Sequence, residues 1–254
     1  MTGFSWINLL AVLLVVALIL GVIVVFARAG ARGRREGEPS SVVRTTLVVA
    51  AVWAGFSVIG ATISFFVILL QPQVSITVPV QDYWPALPEG TVVEGMAATL
   101  QTGSFTSAQL LVEGLSTGAR VGWAISQALW WLLPAAIAGM IAVACFQLLA
   151  GRPFAPVVAR TAMFTGVVVA VGGVAAEMLG DVAGSIAGEE ALRWSSAEYG
   201  EVAGIEDVLA AWWPSPAFDV TLPFWPIAAG LAFAALSAIF RYGAVLQRDS
   251  EGLV

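Results

Sequence analysis

Five apolar runs, each about twenty residues or longer, constrain this chain more than any other feature. They cover residues 5–27, 45–70, 121–150, 161–184 and 223–243. A helix needs about 20 mostly apolar residues to cross the roughly 30 Å hydrocarbon core of a bilayer. Only 11% of the residues are charged, whereas soluble domains carry roughly 25%. We therefore expect an all-α integral membrane protein with a five-helix transmembrane bundle.

The first run, SWINLLAVLLVVALILGVIVVFA, predicts a retained helix. No basic residue precedes it, and its apolar core is longer than that of a cleaved signal peptide. We therefore expect an extra N-terminal transmembrane helix over residues 1–27. An Arg-rich cytoplasmic loop, 28–44, and a four-helix transmembrane domain, 45–254, complete the predicted organisation. The segment GRREGEPSS in that loop is either an orientation signal or a docking site for anionic headgroups or an acidic partner.

The arginines predict the orientation of the chain. All 11 basic residues are Arg, and nine of them lie in 28–44, in 148–160 or after residue 240. Cytoplasmic loops retain Arg, whereas Trp and Tyr favour the membrane interface. Most acidic residues and tryptophans fall on the side opposite those arginines. We therefore expect a multi-pass protein of a bacterial plasma membrane, with its N-terminus outside and its C-terminus in the cytoplasm.

Two outer loops, about 71–120 and 185–222, are too long for simple connections. We expect them to form a small extracytoplasmic cap, which either shelters the helix ends or binds a ligand or partner. The period-two stretch VSITVPV predicts a short edge strand. We interpret 107–121 as a helix that runs into the next span, and 205–213 as a short amphipathic helix.

A pair of carboxylates within the fourth span marks a candidate intramembrane polar site. Glu177 and Asp181 lie four residues apart, so they share one face of the helix. We place Arg120 in this site as the candidate partner of the pair, because it lies at the outer start of the third span. The pair either is solvated or bridged to Arg120 at the interface, or binds a proton or cation.

The sequence carries no pattern for catalysis. It contains no His and one Cys, so it can build neither a His-dependent triad nor a Cys/His zinc site. The glycine-rich stretch GVVVAVGG lacks the strand–turn–helix context of a nucleotide site. We interpret the glycines of this span as positions of close helix packing. We expect no catalytic residue, cofactor or metal, and no direct binding to nucleic acid.

The stretch LLAGRPF, 148–154, predicts a tight cytoplasmic hairpin between the third and fourth spans. Gly151 can cap a helix in a positive-φ conformation, and Arg152 can reach the headgroups. Pro153 cannot continue the helix, Phe154 can lie at the interface, and Pro156 suits the first turn of the next helix.

This hairpin and the C-terminal tail FRYGAVLQRDSEGLV resemble motifs of a bacterial membrane family catalogued as domain of unknown function 2975. Gly151, Arg152, Pro153 and Phe154 match the first motif. The resemblance covers about 45–254, and the chain looks like an actinobacterial-type member with an extra N-terminal span. The matching positions of the tail are Arg241, Gly243, Leu246, Asp249, Glu251, Gly252, Leu253 and Val254.

The resemblance implies a function in signalling. Genes of this family commonly lie beside one for a small helix-turn-helix regulator, so the protein is expected to be a non-enzymatic membrane partner of such a DNA-binding protein. Membrane lipids are a further expected partner. The alternative functions are those of a small transporter, channel or immunity protein, or of an accessory subunit that binds other membrane subunits of an envelope complex. The candidate cytoplasmic partner surface comprises Gly151, Arg152, Pro153, Phe154, Arg241, Asp249 and Glu251.

Overall fold

The computed structural model of the chain describes residues 40–95, 97–98 and 100–251. The predicted N-terminal span and most of the Arg-rich loop lie outside the described residues, so the fifth span stays a prediction. The elements, in chain order, are α1 (Ser40–Leu70), β1 (Gln73–Tyr83), β2 (Phe105–Glu113), α2 (Thr117–Leu149), α3 (Pro156–Leu192), α4 (Val208–Trp212) and α5 (Trp225–Glu251).

Four helices of the described chain, α1, α2, α3 and α5, are long and apolar enough to cross a membrane. Each follows one of the predicted apolar runs. Large apolar side chains stay exposed along them; on α1, for example, Val52, Phe56 and Ile63 are each more than half exposed. Water would oppose such a surface, whereas hydrocarbon accepts it. The described fold is therefore consistent with a multi-pass membrane protein.

The expectation of an all-α protein is wrong in one region, because β1 and β2 form a two-stranded antiparallel sheet. The predicted strand VSITVPV is confirmed as part of β1. The predicted helix over 107–121 is wrong in its first half, which is β2, and α2 begins only at Thr117. Gly114 adopts a φ of +77° between them. The helix predicted over 205–213 is the shorter α4, for which Asp207 is the N-cap.

The chain divides into two compact units. The first comprises the described residues up to 58, together with 133–169 and 228–251; the second comprises 59–132 and 170–227. In the first unit, hydroxyl groups join the helices in pairs. Ser237 of α5 donates to the carbonyl oxygen of Ala159 on α3 at 2.7 Å, and Thr165 of α3 donates to that of Ala136 on α2 at 3.4 Å. Such bonds satisfy polar groups that hydrocarbon would leave unpaired.

In the second unit the core lies between the sheet and the helices. From Val74 to Val80 every second side chain of β1 is buried, and Ile76 and Val78 are both 0% exposed. These side chains pack in one cluster with Ala183 and Ala187 of α3. The alternation follows from the strand period of two, which directs one face of β1 to the core and the other to the surface.

The glycines of α3 do allow close approach, but not always to a helix. A methyl group added at Gly166 would lie 2.9 Å from the carbonyl oxygen of Gly230 on α5. One added at Gly180 would lie 2.9 Å from the hydroxyl oxygen of Ser126 on α2. At Gly184, by contrast, the backbone of strand β1 is the neighbour. The interpretation of this glycine as a helix-packing position is therefore wrong.

Candidate functional site

A polar cavity of 310 Å³ opens in the second unit. Both strands, α2, α3 and the segment before α5 contribute to its lining. Threonine and serine hydroxyl groups from the sheet form one part of the lining, and α2 and α3 form the other. The charged, amide and aromatic residues of the lining are Glu177, Asp181, Asp219, Gln127, Trp123 and Trp130.

Glu177 and Asp181, predicted to share a helix face, both line this cavity. They lie one turn apart on α3, and each is partly buried. Beside them, Gly180 brings α3 close to Ser126, whose hydroxyl group donates to the carbonyl oxygen of Ala176 at 2.7 Å. This contact holds α2 against α3 beside the cavity.

Asp181 has a structural contact as well. Its Oδ2 atom accepts hydrogen bonds from the backbone N–H of Thr221 at 2.7 Å and from the Thr221 hydroxyl group at 2.8 Å. One turn further along α3, the Ser185 hydroxyl group bonds to the backbone of Asp219. Together these bonds attach the segment before α5 to α3, and they leave only part of the Asp181 carboxylate for a ligand.

Glu177 differs from Asp181 because its carboxylate makes no hydrogen bond or ion pair with the described part of the chain. The same holds for the side chain of Gln127 on the facing helix. A partly buried carboxylate loses part of its hydration, which hydrogen-bond donors or a positive charge can offset. Trp123 and Trp130 line the same cavity, and indole rings attract cations. The lining is therefore suited to a small cation.

Arg120 is not part of this cavity, and its predicted pairing with the two carboxylates is wrong for the described structure. Its guanidinium group donates to the carbonyl oxygens of Leu69 at 3.4 Å, Gln71 at 2.8 Å and Pro72 at 3.0 Å. The last carbonyl groups of a helix have no partner within it and carry partial negative charge. Arg120 therefore caps the end of α1.

Sequence reasoning did not identify Gln127, Trp123 or the sheet hydroxyl groups as neighbours of Glu177. Because 107–121 was interpreted as one helix, β2 was not predicted. The threonine and serine side chains that this strand adds to the cavity were therefore not predicted either. The signal that could have found the strand is the alternation in SAQLLVE, where the side chains of Ala108, Leu110 and Val112 are less exposed than their neighbours.

No group of three or more His, Cys, Asp or Glu side chains in the described ranges could hold a metal ion. Asp219 does line the cavity with Glu177 and Asp181, but the three carboxylates do not form such a group. The cavity thus combines carboxylate and tryptophan side chains without a ligand set for a metal.

The first unit contains the hairpin that the sequence predicted. Gly151 has a φ of +73° and donates its N–H to the carbonyl oxygen of Leu148, while Arg152 donates to that of Gln147. These two bonds form the Schellman arrangement that ends a helix. α3 then begins at Pro156. The predicted roles of Gly151 and Pro156 are confirmed.

The hairpin packs against α5. A side chain at Gly243 would run into the ring of Phe154, so this glycine makes room for the phenylalanine. Phe154 is therefore half-buried against α5, and it is less free to bind a partner than the sequence suggested. Arg152, Arg241 and Asp249 remain exposed. The structure thus brings the hairpin and the α5 residues of the predicted partner surface into one region of the first unit.

Comparison of the chain with protein-family models, with curated proteins and with solved structures gave no match.

Proposed function

We propose that this chain is a non-enzymatic signalling protein of a bacterial plasma membrane, which binds a small organic cation in the polar cavity of its second unit. The observation that carries the proposal is the Glu177 carboxylate. It lines a cavity of 310 Å³ beside two tryptophans and has no partner of its own in the described chain. A cation that carries apolar groups would satisfy both the charge and the aromatic faces.

The positions of the arginines support an orientation for this proposal. Arg152, Arg160, Arg241 and Arg248 all belong to the first unit, and Arg is retained on the cytoplasmic side. We therefore propose that the two strands and the segment 193–224 form an extracytoplasmic cap, in which the cavity opens. Arg152 and Asp249, which are exposed on the hairpin and on α5, would then meet a cytoplasmic partner, such as the small DNA-binding regulator that the family resemblance implies.

The binding of tetramethylammonium tests the ligand class. We expect the purified full-length chain to bind this cation, and Glu177→Gln to weaken the binding at least tenfold, because the variant keeps the shape but loses the charge. Glu113→Gln is the matched control, since Glu113 is an exposed carboxylate at the end of β2 and does not line the cavity. Isothermal titration calorimetry measures both affinities. Equal losses in the two variants would contradict a specific site, and so would equal binding by wild type and Glu177→Gln.

Transport of protons or cations is the second candidate function. The position of Glu177 on α3 favours it, because α3 is one of the helices long enough to cross a membrane and ionisable residues in such helices often mark ion pathways. If transport is the function, liposomes that contain the protein should show a cation or proton flux that Glu177→Gln and Asp181→Asn reduce. Fluorescent pH and ion indicators would measure it, and a flux equal to that of empty liposomes would exclude transport.

A further inference from the structure

A groove of 490 Å³ lies in the first unit, between the beginning of α3 and the last turns of α5. Most of its wall is apolar. Phe154 of the hairpin, Met163 of α3 and Phe240 of α5 contribute to this wall, together with Val245. The groove also contains three arginines, and we call it the basic groove. The residues that define it for the argument are Phe154, Met163, Phe240, Arg160, Arg241 and Arg248.

The positive charge of the basic groove is not compensated within the described part of the chain. Arg160, Arg241 and Arg248 are all exposed, and none of them makes an ion pair or hydrogen bond there. The one ion pair within the described ranges joins Glu189 and Arg193 at 3.0 Å. No Asp or Glu is among the described lining residues. Like charges that share one groove repel each other, so an anion bound between them would be stabilised.

Arg160 and Arg241 lie where the apolar parts of two membrane-length helices begin and end, and Arg248 lies two turns further along α5. The apolar stretch TAMFTGVVVAVGGVAA follows Arg160 in α3, and IAAGLAFAALSAIF precedes Arg241 in α5. When these stretches lie in hydrocarbon, the arginine side chains reach the level of the lipid headgroups. Met163 and Phe240 of the groove wall belong to these apolar stretches.

We propose that the basic groove binds an anionic phospholipid. The headgroup phosphate accepts hydrogen bonds from the guanidinium groups of Arg160, Arg241 and Arg248, whose planar donors suit phosphate oxygens. One acyl chain lies along the apolar wall beside Met163 and Phe240. Charge complementarity identifies the headgroup, and the apolar wall favours a lipid over a free anion. The proposal is independent of the cavity in the second unit, and of any ligand bound there.

Native mass spectrometry of the full-length chain tests the proposal. The protein in a non-ionic detergent is titrated with phosphatidylglycerol or with phosphatidylcholine of the same acyl chains. We expect at least one phosphatidylglycerol to bind more tightly than any phosphatidylcholine. The variant Arg160→Gln/Arg241→Gln/Arg248→Gln should reduce the affinity for phosphatidylglycerol roughly 100-fold, since each arginine near an anionic headgroup contributes roughly fivefold.

The matched control removes the same charge at other places. Arg44→Gln/Arg193→Gln changes two exposed arginines that do not line the basic groove, and it should retain the binding of phosphatidylglycerol. Arg160→Gln/Arg241→Gln, which removes the same charge from the groove, should weaken the binding roughly 25-fold. Equal losses in the two double variants would overturn the proposal, because net charge alone would then explain the binding. Unchanged binding in the groove variant would also overturn it. Both variants should unfold at the same temperature as the wild type. This measurement shows that the comparison is between folded proteins.

Two competitors separate the lipid from other anions. Inorganic phosphate at millimolar concentration should not displace phosphatidylglycerol, because it cannot use the apolar wall. Displacement by phosphate would show a simple anion site and overturn the assignment to a lipid. Displacement by polyglutamate, lost in the groove variant, would assign the groove to an acidic protein partner instead.

Discussion

Gly184→Ala is expected to lower the free energy of unfolding by about 2 kcal/mol, because the added methyl group enters a space that the backbone of β1 already fills. The Cβ atom of the alanine would lie 2.5 Å from the carbonyl oxygen of Thr77. A backbone oxygen in a paired strand cannot move away as a side-chain end can, so β1 or α3 must shift. Thermal unfolding in detergent, followed by tryptophan fluorescence, measures the loss.

Gly188→Ala is the matched control for this prediction. Gly188 lies one turn further along α3, also against β1, but its added methyl group would meet the Cβ atom of Val78 at 3.5 Å and the carbonyl oxygen of Pro79 at 3.6 Å. Both are ordinary contact distances. Ala is favoured over Gly in a helix by up to about 1 kcal/mol, so this variant should be as stable as wild type or more so. Equal stability of the two variants would contradict the close packing of β1 on α3.

Arg120→Met is expected to lower the free energy of unfolding by about 3 kcal/mol, because it removes a charged donor from three backbone carbonyl groups at the end of α1. Methionine keeps much of the apolar length of the side chain but cannot donate a hydrogen bond. The carbonyl oxygens of Leu69, Gln71 and Pro72 would then lack this partner. Chemical or thermal unfolding in detergent measures the difference.

The control for this loss is Arg193→Met, which removes an arginine from the exposed pair with Glu189 on α3. Exposed pairs of this kind contribute at most about 0.5 kcal/mol.

A double-mutant cycle of Arg120→Met with Asp181→Asn then tests the pairing that the sequence suggested. The effects should add, because Arg120 bonds to the end of α1 and Asp181 to Thr221. A coupling above about 1 kcal/mol would contradict this assignment.

The four described long helices could be predicted from their apolar runs, because the bilayer imposes a minimum length on any crossing helix. Their ends were less accurate. α3 continues to Leu192, eight residues beyond the predicted limit of its apolar run. That last part contains Glu189 and Glu190, whose charges lower the local hydropathy. The predicted end of the helix therefore came too early. Backbone hydrogen bonding and packing against β1 continue the helix despite those charges.

The sheet could be predicted only in part, because a strand depends on a partner that is distant in the chain. The alternation of β1 is strong, since one face packs on α3. The alternation of β2 is weaker, and its inner residues are only partly buried. Ile76 of β1 pairs with Leu110 of β2, although the two residues are far apart in the chain. Local propensity around 107–121 favoured a helix, and the pairing with β1 overrides it.

Only the part of the candidate cavity that lies on a single helix could be predicted. The helical period places Glu177 and Asp181 on one face, and this follows from spacing alone. Spacing could not show that Asp181 bonds to Thr221, because 40 residues separate them. Nor could it show that Gln127 and two tryptophans complete the lining. Those neighbours depend on how α2, α3 and the sheet pack.

The sequence by itself determined the positions of the four described apolar helices and the turn at Gly151. These features depend on hydropathy and on the conformations open to single residues, which are local properties of the chain. Only the tertiary structure decided that Arg120 caps α1, that Gly184 makes room for a strand and that three arginines share one groove. Each of these contacts joins segments distant in sequence, so its free energy depends on packing that no local pattern contains.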